Sequence, residues 1–242
     1  MGASSPPTIA IPRQLGLFSG GGPMVSCPLH PQRVELGGGS WLEYQPSWLS
    51  GDDTLFDRLM LSSVWRRHER PMYERIVAVP RLTSHVALNA LDAPEPHRLL
   101  ARLSRLLSDH YGRTLTSASL TLYRNGQDSV APHGDKLGPL IDDSVLAIVS
   151  LGGPRRMLIT RNRDSMSQGI SAQPERLTFH LGGGDLLVMG GSCQRTHRHS
   201  IPKVAKANPR ISIVFREPLP GVQSEWEPAW MAAAPGLPPG GP

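Results

Sequence analysis

The chain has 242 residues, 39% of them hydrophobic, with 25 Lys and Arg against 20 Asp and Glu and a formal net charge of +5 at a pI near 9.7. Two cysteines make no disulfide framework, and without a long apolar run or a secretory pattern the chain reads as a cytoplasmic protein with reduced thiols and no membrane association. The modest positive charge permits a polyanionic partner without identifying one.

Residues 1–39, with SSPP, SGGGP and LGGGS, lack the periodic apolar pattern that offsets the entropy of ordering, and read as a flexible tail. A single domain is expected over 40–217. Ser50 or Asp52 caps a first helix with Leu55, Phe56, Leu59 and Met60 on one face, ending near Trp65. RIVAVPRLT reads as a strand up to Pro80, with the proline at an edge or a strand end. Leu99, Leu100, Leu103, Leu106 and Leu107 recur at three- and four-residue steps, so a second helix is expected from Pro96 to about Tyr111, before Gly112. From Ser119 the period shortens. SLTLYR, VLAIVSL, RMLITRN, ERLTFHL, DLLVMG and RISIVFR alternate with Gly-Gly, Asn-Gly and Asp-Ser turns, which indicates a mainly β sandwich or barrel with supporting helices. Residues 218–242 read as a second tail, Pro- and Gly-rich, that holds Trp226 and Trp230.

The chemistry concentrates in the β region. In HGDK, residues two apart on a strand share a face, so His133 and Asp135 can converge on one metal ion. His199 completes a set of two histidines and one carboxylate, with His197 as the competing third ligand in HRHSIPK. Such a set leaves three positions open on an octahedral ion, as in non-haem Fe(II) oxygenases. Arg210 and Arg216, six apart, share a strand face, and inward-facing guanidiniums need anionic partners. A 2-oxoglutarate molecule supplies a carboxylate at each end. Its keto-acid end can chelate iron while an arginine holds the distal carboxylate, which leaves a position for dioxygen. Arg155, Arg156, Arg161 and Arg163 read either as a solvated hairpin or as phosphate contacts beside the site, and Arg66, Arg67 and Arg70 read similarly. Gly182 to Gly184 and the pair Gly190 and Gly191 read as tight turns, because no lysine or helix start accompanies them as a phosphate loop requires.

The order of VWRR, MYERIVAVPRLT, LYRNGQDSVAPHGDK, AIVSLGGPRRMLI, LGGGDLLVMGGSCQRTHRHSIPK and PRISIVFRE, from Leu42 to Glu217, resembles the AlkB family of Fe(II)/2-oxoglutarate-dependent dioxygenases. The resemblance implies a double-stranded β-helix, or jelly-roll, core with iron at one mouth. It implies His133, Asp135 and His199 as metal ligands, Arg210 on the distal carboxylate, Arg216 by the keto-acid end, and Tyr123 in contact with the cosubstrate. Thr121 stands where relatives often carry a cosubstrate-binding Asn. His85, His197, Arg81, Arg155 and Arg161 are the expected substrate contacts. The chain departs from the family pattern at Pro132, at His197 in place of a Trp, at Ser84 to Val86 in place of an aromatic pair, and at Leu137 and Gly138, where some relatives place an acidic residue. The implied activity is oxidative demethylation of alkylated bases in DNA or RNA, single strands favoured, by a monomer. The alternatives are the same oxygenase chemistry on a small molecule or protein side chain, and a catalytically silent nucleic-acid-binding module.

Overall fold

The period-two runs become strands at nearly the expected bounds in the computed structural model, which describes residues 22–25, 29–72, 75–88, 95–135, 143–162 and 176–218. The elements begin with β1 (Met24–Val25), β2 (Gln32–Gly37), β3 (Ser40–Gln45), β4 (Leu49–Ser50), α1 (Asp52–Ser62), β5 (Arg66–Met72), β6 (Arg75–Ala87) and α2 (His97–Tyr111). They continue with β7 (Ser117–Tyr123), β8 (Val130–His133), β9 (Ser144–Gly152), β10 (Arg155–Arg161), β11 (Arg176–Leu181), β12 (Leu186–Gly191), α3 (Cys193–Thr196), β13 (His197–Ile201) and β14 (Arg210–Arg216). Eight strands form a large antiparallel sheet in the order β2-β3-β12-β9-β14-β7-β6-β5, and four form a smaller one in the order β11-β10-β13-β8. This is the expected jelly-roll pair of sheets.

Alternation within β9 shows how the layers hold together. Val145, Ala147, Val149 and Leu151 join a core beneath the helices, whereas Leu146 and Ile148 face a second core between the sheets. A strand covered on both faces reads as one continuous apolar run, which is why AIVSL shows little polarity. Helix α2 contributes Leu100, Leu103 and Leu107, all fully buried, at about 2 kcal/mol each. It stops at Gly112, whose left-handed φ of 61° suits the residue that terminates a helix.

Four expectations need correction. Helix α1 ends at Ser62, short of Trp65, because Ser63 turns to an extended conformation while its N–H still bonds Leu59 O. Neither Ser50 nor Asp52 caps it. Gly51 precedes the helix with no side-chain cap, and Asp52 and Asp53 sit in the first turn, where negative charge suits the helix dipole. Pro80 lies inside β6. It occupies a register shift between Arg67↔Leu82 and Glu69↔Ala78, where no ladder N–H is required, and its carbonyl accepts the Ser129 N–H at 2.8 Å. The stretch LGGGS is no tail. Gly37, Gly38 and Gly39 take φ of 79°, 60° and 76° to turn β2 back along β3, and Leu36 is buried. The ordered sheet thus begins within 1–39, and most of that span, together with Cys27, Trp226 and Trp230, lies outside the described residues.

Candidate active site

Strands β8 and β13 are neighbours in the smaller sheet, with His133 directly opposite His199 and their ring centroids 4.2 Å apart. Asp135 Oδ1 lies 3.7 Å from His133 Nε2, and one ligand atom from each of His133, Asp135 and His199 falls within 4.8 Å of the others. His133 Nδ1 sits 2.9 Å from Ala131 O, a contact that places its proton on Nδ1 and leaves Nε2 as the donor toward a metal. Burial, reinforced by His133 and only partly opposed by Asp135, pushes His199 down to about 4, which keeps it the neutral imidazole a metal binds. His197 is not in this cluster. It pairs with Arg161 across β10 and sets Nδ1 2.8 Å from Thr196 Oγ1.

The carboxylate reaches the cluster by a route that the strand rule does not describe. Strand β8 stops at His133, and Asp135 lies in the turn beyond it. That turn is held on α3: the Asp135 N–H donates to Gln194 Oε1 at 2.9 Å, and Gly134 passes so close that a Cβ there would stand 2.2 Å from Gln194 O. Gln194 is itself buried. Gly134 and Gln194 are therefore site residues that sequence reasoning missed, and their 60-position separation carried no local signal.

The pocket follows from alternation across three neighbouring strands. It is lined by Ser119, Thr121 and Tyr123 of β7, Leu146 and Ile148 of β9, and Arg210, Ser212, Val214 and Arg216 of β14, with the metal cluster opposite. Register puts Arg210 beside Tyr123 and Ser212 beside Thr121, so these positions converge as expected. Ser212 was legible too, at an even spacing from Arg210. Arg216 lies at the metal end, its Nη1 3.4 Å from Asp135 Oδ2. Arg210 lies at the other end, 1% exposed, with Nε donating to Ser150 Oγ at 2.9 Å and its guanidinium carbon 5.4 Å from the Tyr123 ring centroid. Burial lowers Arg210 to about 10, so it stays cationic at neutral pH. Its Nη1 and Nη2 are buried without a hydrogen-bond partner. A buried guanidinium fork of this kind is costly unless an anion meets it, and a carboxylate meets it with two parallel hydrogen bonds. Two imidazole nitrogens and a carboxylate suit Fe(II), and the Arg210 fork suits the far end of a dicarboxylate, so the residues present fit both groups.

The expected substrate contacts divide. Arg81 lines the pocket and donates to Ser129 O at 3.3 Å. His85 on β6 reaches solvent on one side, and burial of the rest of the ring, followed by the Arg216 charge, lowers it to about 4. Arg161 faces His197 across the strand pair, and His197 is buried. Arg155 must be corrected. It is 3% exposed and donates to the carbonyls of Asn125, Asp128 and Pro202 at 2.8 to 3.0 Å, so it braces the loop between β7 and β8 and is not presented to a phosphate. Arg66, Arg67 and Arg156 are exposed, while the side chain of Arg70 and all of Arg163, Leu137 and Gly138 fall outside the described residues.

Comparison with known proteins agrees with this geometry. The family model described as "2OG-Fe(II) oxygenase superfamily" matches residues 58–216. The chain is 30% identical over 224 residues to "DNA oxidative demethylase ALKBH2" of Arabidopsis thaliana, covering 76% of this chain and 68% of that protein. It is 27% identical over 177 residues to "Alpha-ketoglutarate-dependent dioxygenase alkB homolog 3" of Bos taurus, covering 69% of this chain and 62% of the relative's length. Against that relative and its human counterpart the match thus spans about three fifths of their length. The solved structure of OsALKBH1 superposes with a TM-score of 0.51 at 14% identity, covering 77% of this chain and all of that one, a likeness of fold.

Proposed function

The chain belongs to the 2OG-Fe(II) oxygenase superfamily, in its AlkB-like branch, and from that premise we propose that it catalyses oxidative demethylation of alkylated bases in DNA or RNA. One observation carries the reading: a single pocket has His133, Asp135 and His199 at one end and the unpaired fork of Arg210 at the other. When bound, Fe(II) and 2-oxoglutarate activate dioxygen and supply the oxidising power, with succinate, carbon dioxide and, from an N-methyl group, formaldehyde as products.

The protein's own task is to bind, orient and exclude water. His133, Asp135 and His199 would hold the ion, and the buried fork of Arg210 would take the distal carboxylate. Arg216 places positive charge beside Asp135, where the keto-acid end would lie, while Tyr123 and Thr121 of β7 line the pocket and would flank the cosubstrate. No side-chain nucleophile is required. The nucleic-acid substrate is supported by the DNA oxidative demethylase named among the relatives and by the net charge of +5. A preference for single strands is supported by the exposed His85, which offers less stacking area than a Trp to offset the unstacking of a flipped base. We propose further that the protein works as a monomer in the cytoplasm.

The test supplies purified protein with Fe(II), 2-oxoglutarate and a panel of N-methylated oligonucleotides, and measures succinate and formaldehyde. Both products are expected from wild type, single strands reacting faster than duplexes, and neither from His133→Ala. Succinate without demethylation would sink the base-repair reading and leave an oxygenase with another substrate. Neither product from wild type with verified metal would sink the oxygenase reading altogether.

A further inference from the structure

Ser150 stands behind Arg210 and outside the lining of the pocket. Its Oγ accepts the Arg210 Nε–H at 2.9 Å, and the two residues are 0% and 1% exposed. A guanidinium can offer a carboxylate either Nε together with one Nη, or both Nη groups together. With Nε engaged by Ser150, only the end-on pair remains, and Nη1 and Nη2 are the atoms that lack partners.

Ser150 is itself fixed from behind. Its N–H donates to Asp185 O at 2.9 Å, and its carbonyl accepts the Gly184 N–H at 2.7 Å. The buried Asp185 carboxylate in turn accepts the Tyr44 hydroxyl at 2.8 Å and the N–H groups of Ser47 and Gly182 at 2.9 and 2.8 Å. Gly184 runs so near Leu49 O that a Cβ would come within 2.1 Å, so this turn requires a glycine there, and its carbonyl accepts the Leu49 N–H at 2.9 Å. The chain of contacts runs from Tyr44 and Ser47 through Asp185 and Ser150 to the guanidinium. Support of this kind is what holds a binding group in its productive geometry.

We propose that Ser150 is a positioning residue that locks Arg210 in the end-on orientation and thereby sets the site's preference for a 2-oxo acid bearing a distal carboxylate. The proposal rests on the cosubstrate reading above, and its test separates the two. Protein loaded with Mn(II), which accepts the same ligands as Fe(II), is titrated directly or by competition with 2-oxoglutarate and with 2-oxobutyrate. The second ligand keeps the keto-acid end and lacks the distal carboxylate. Wild type should prefer 2-oxoglutarate by about a hundredfold or more, and Arg210→Met should erase that preference. Ser150→Ala should cut it about tenfold, weakening 2-oxoglutarate while leaving 2-oxobutyrate unchanged, with a melting temperature a few degrees lower because Arg210 Nε loses its acceptor.

A merely structural role for Ser150 would weaken both ligands together. Equal weakening, or an undiminished preference in Ser150→Ala, overturns the proposal while the Arg210 result stands. A wild type that shows no preference overturns the cosubstrate reading, and the role of Ser150 falls with it.

Discussion

Asp128 was passed over in the sequence as one polar residue of a turn, yet it organises the approach to the metal cluster. Its carboxylate accepts Arg124 Nε and Nη2 at 2.7 and 2.8 Å and the Arg124 backbone N–H at 2.9 Å, while its own carbonyl receives Arg155. Burial works to raise this carboxyl, but the Arg124 hydrogen bonds outweigh it and hold the group below the usual range. A carboxylate whose folded pKa is depressed adds stability that is present above the unfolded value, roughly 4, and is lost as pH falls through the folded value. Asp128→Asn should therefore cost about 1–3 kcal/mol at pH 7, and the difference from wild type should shrink at pH 3. Urea unfolding at both pH values measures this, and an equal difference at the two would contradict the assignment. Such a residue is hard to find from sequence, because its value depends on Arg155, 27 positions away, whose own burial no local pattern announces. His133, Asp135, His199, Arg210 and Arg216 were legible because metal and dicarboxylate chemistry permits few residue types.

At the scale of elements, period-two alternation located β7, β9, β10, β11, β12 and β14 to within two residues, since each has at least one face pressed into a core. It missed β2 and the adjoining β3, where a glycine-rich turn resembles a tail, β5, which reads only as a basic stretch, the four-residue β8, and β13, whose HRHSI is largely polar. The HGD turn is the instructive case. Same-face spacing pointed to His133 and Asp135, which do come together, but the cause of their convergence is the docking of that turn on α3, which needs a glycine at 134. Gly134→Ala would set a methyl against the Gln194 carbonyl and force the turn away from the helix. Mn(II) affinity should fall about ten- to hundredfold, as when the support of a metal ligand is removed. Titration followed by electron paramagnetic resonance reads the loss, and unchanged affinity would show that Asp135 does not depend on this contact.

For the whole molecule, the division of the site between sheets has an energetic consequence. His133 and His199 belong to the smaller sheet, whereas Tyr123, Arg210 and Arg216 belong to the larger. A metal and a dicarboxylate bound together should therefore tie the two layers to each other. Cys193 reports on their separation. It is 1% exposed within the core between the sheets, and burial pushes its thiol up to about 12, so it should react only when the layers part. In a Cys27→Ser background Cys193 should be silent to a thiol reagent at pH 8 and react fully in denaturant. Mn(II) with 2-oxoglutarate at about a hundred times its dissociation constant adds roughly 2.7 kcal/mol to the folded state and should slow labelling about a hundredfold when opening is in rapid equilibrium. Mn(II) alone engages the smaller sheet and the turn after β8, and should slow it less. Equal protection by metal alone would mean that the cosubstrate does not bridge the sheets, and would detach Arg210 from the dicarboxylate.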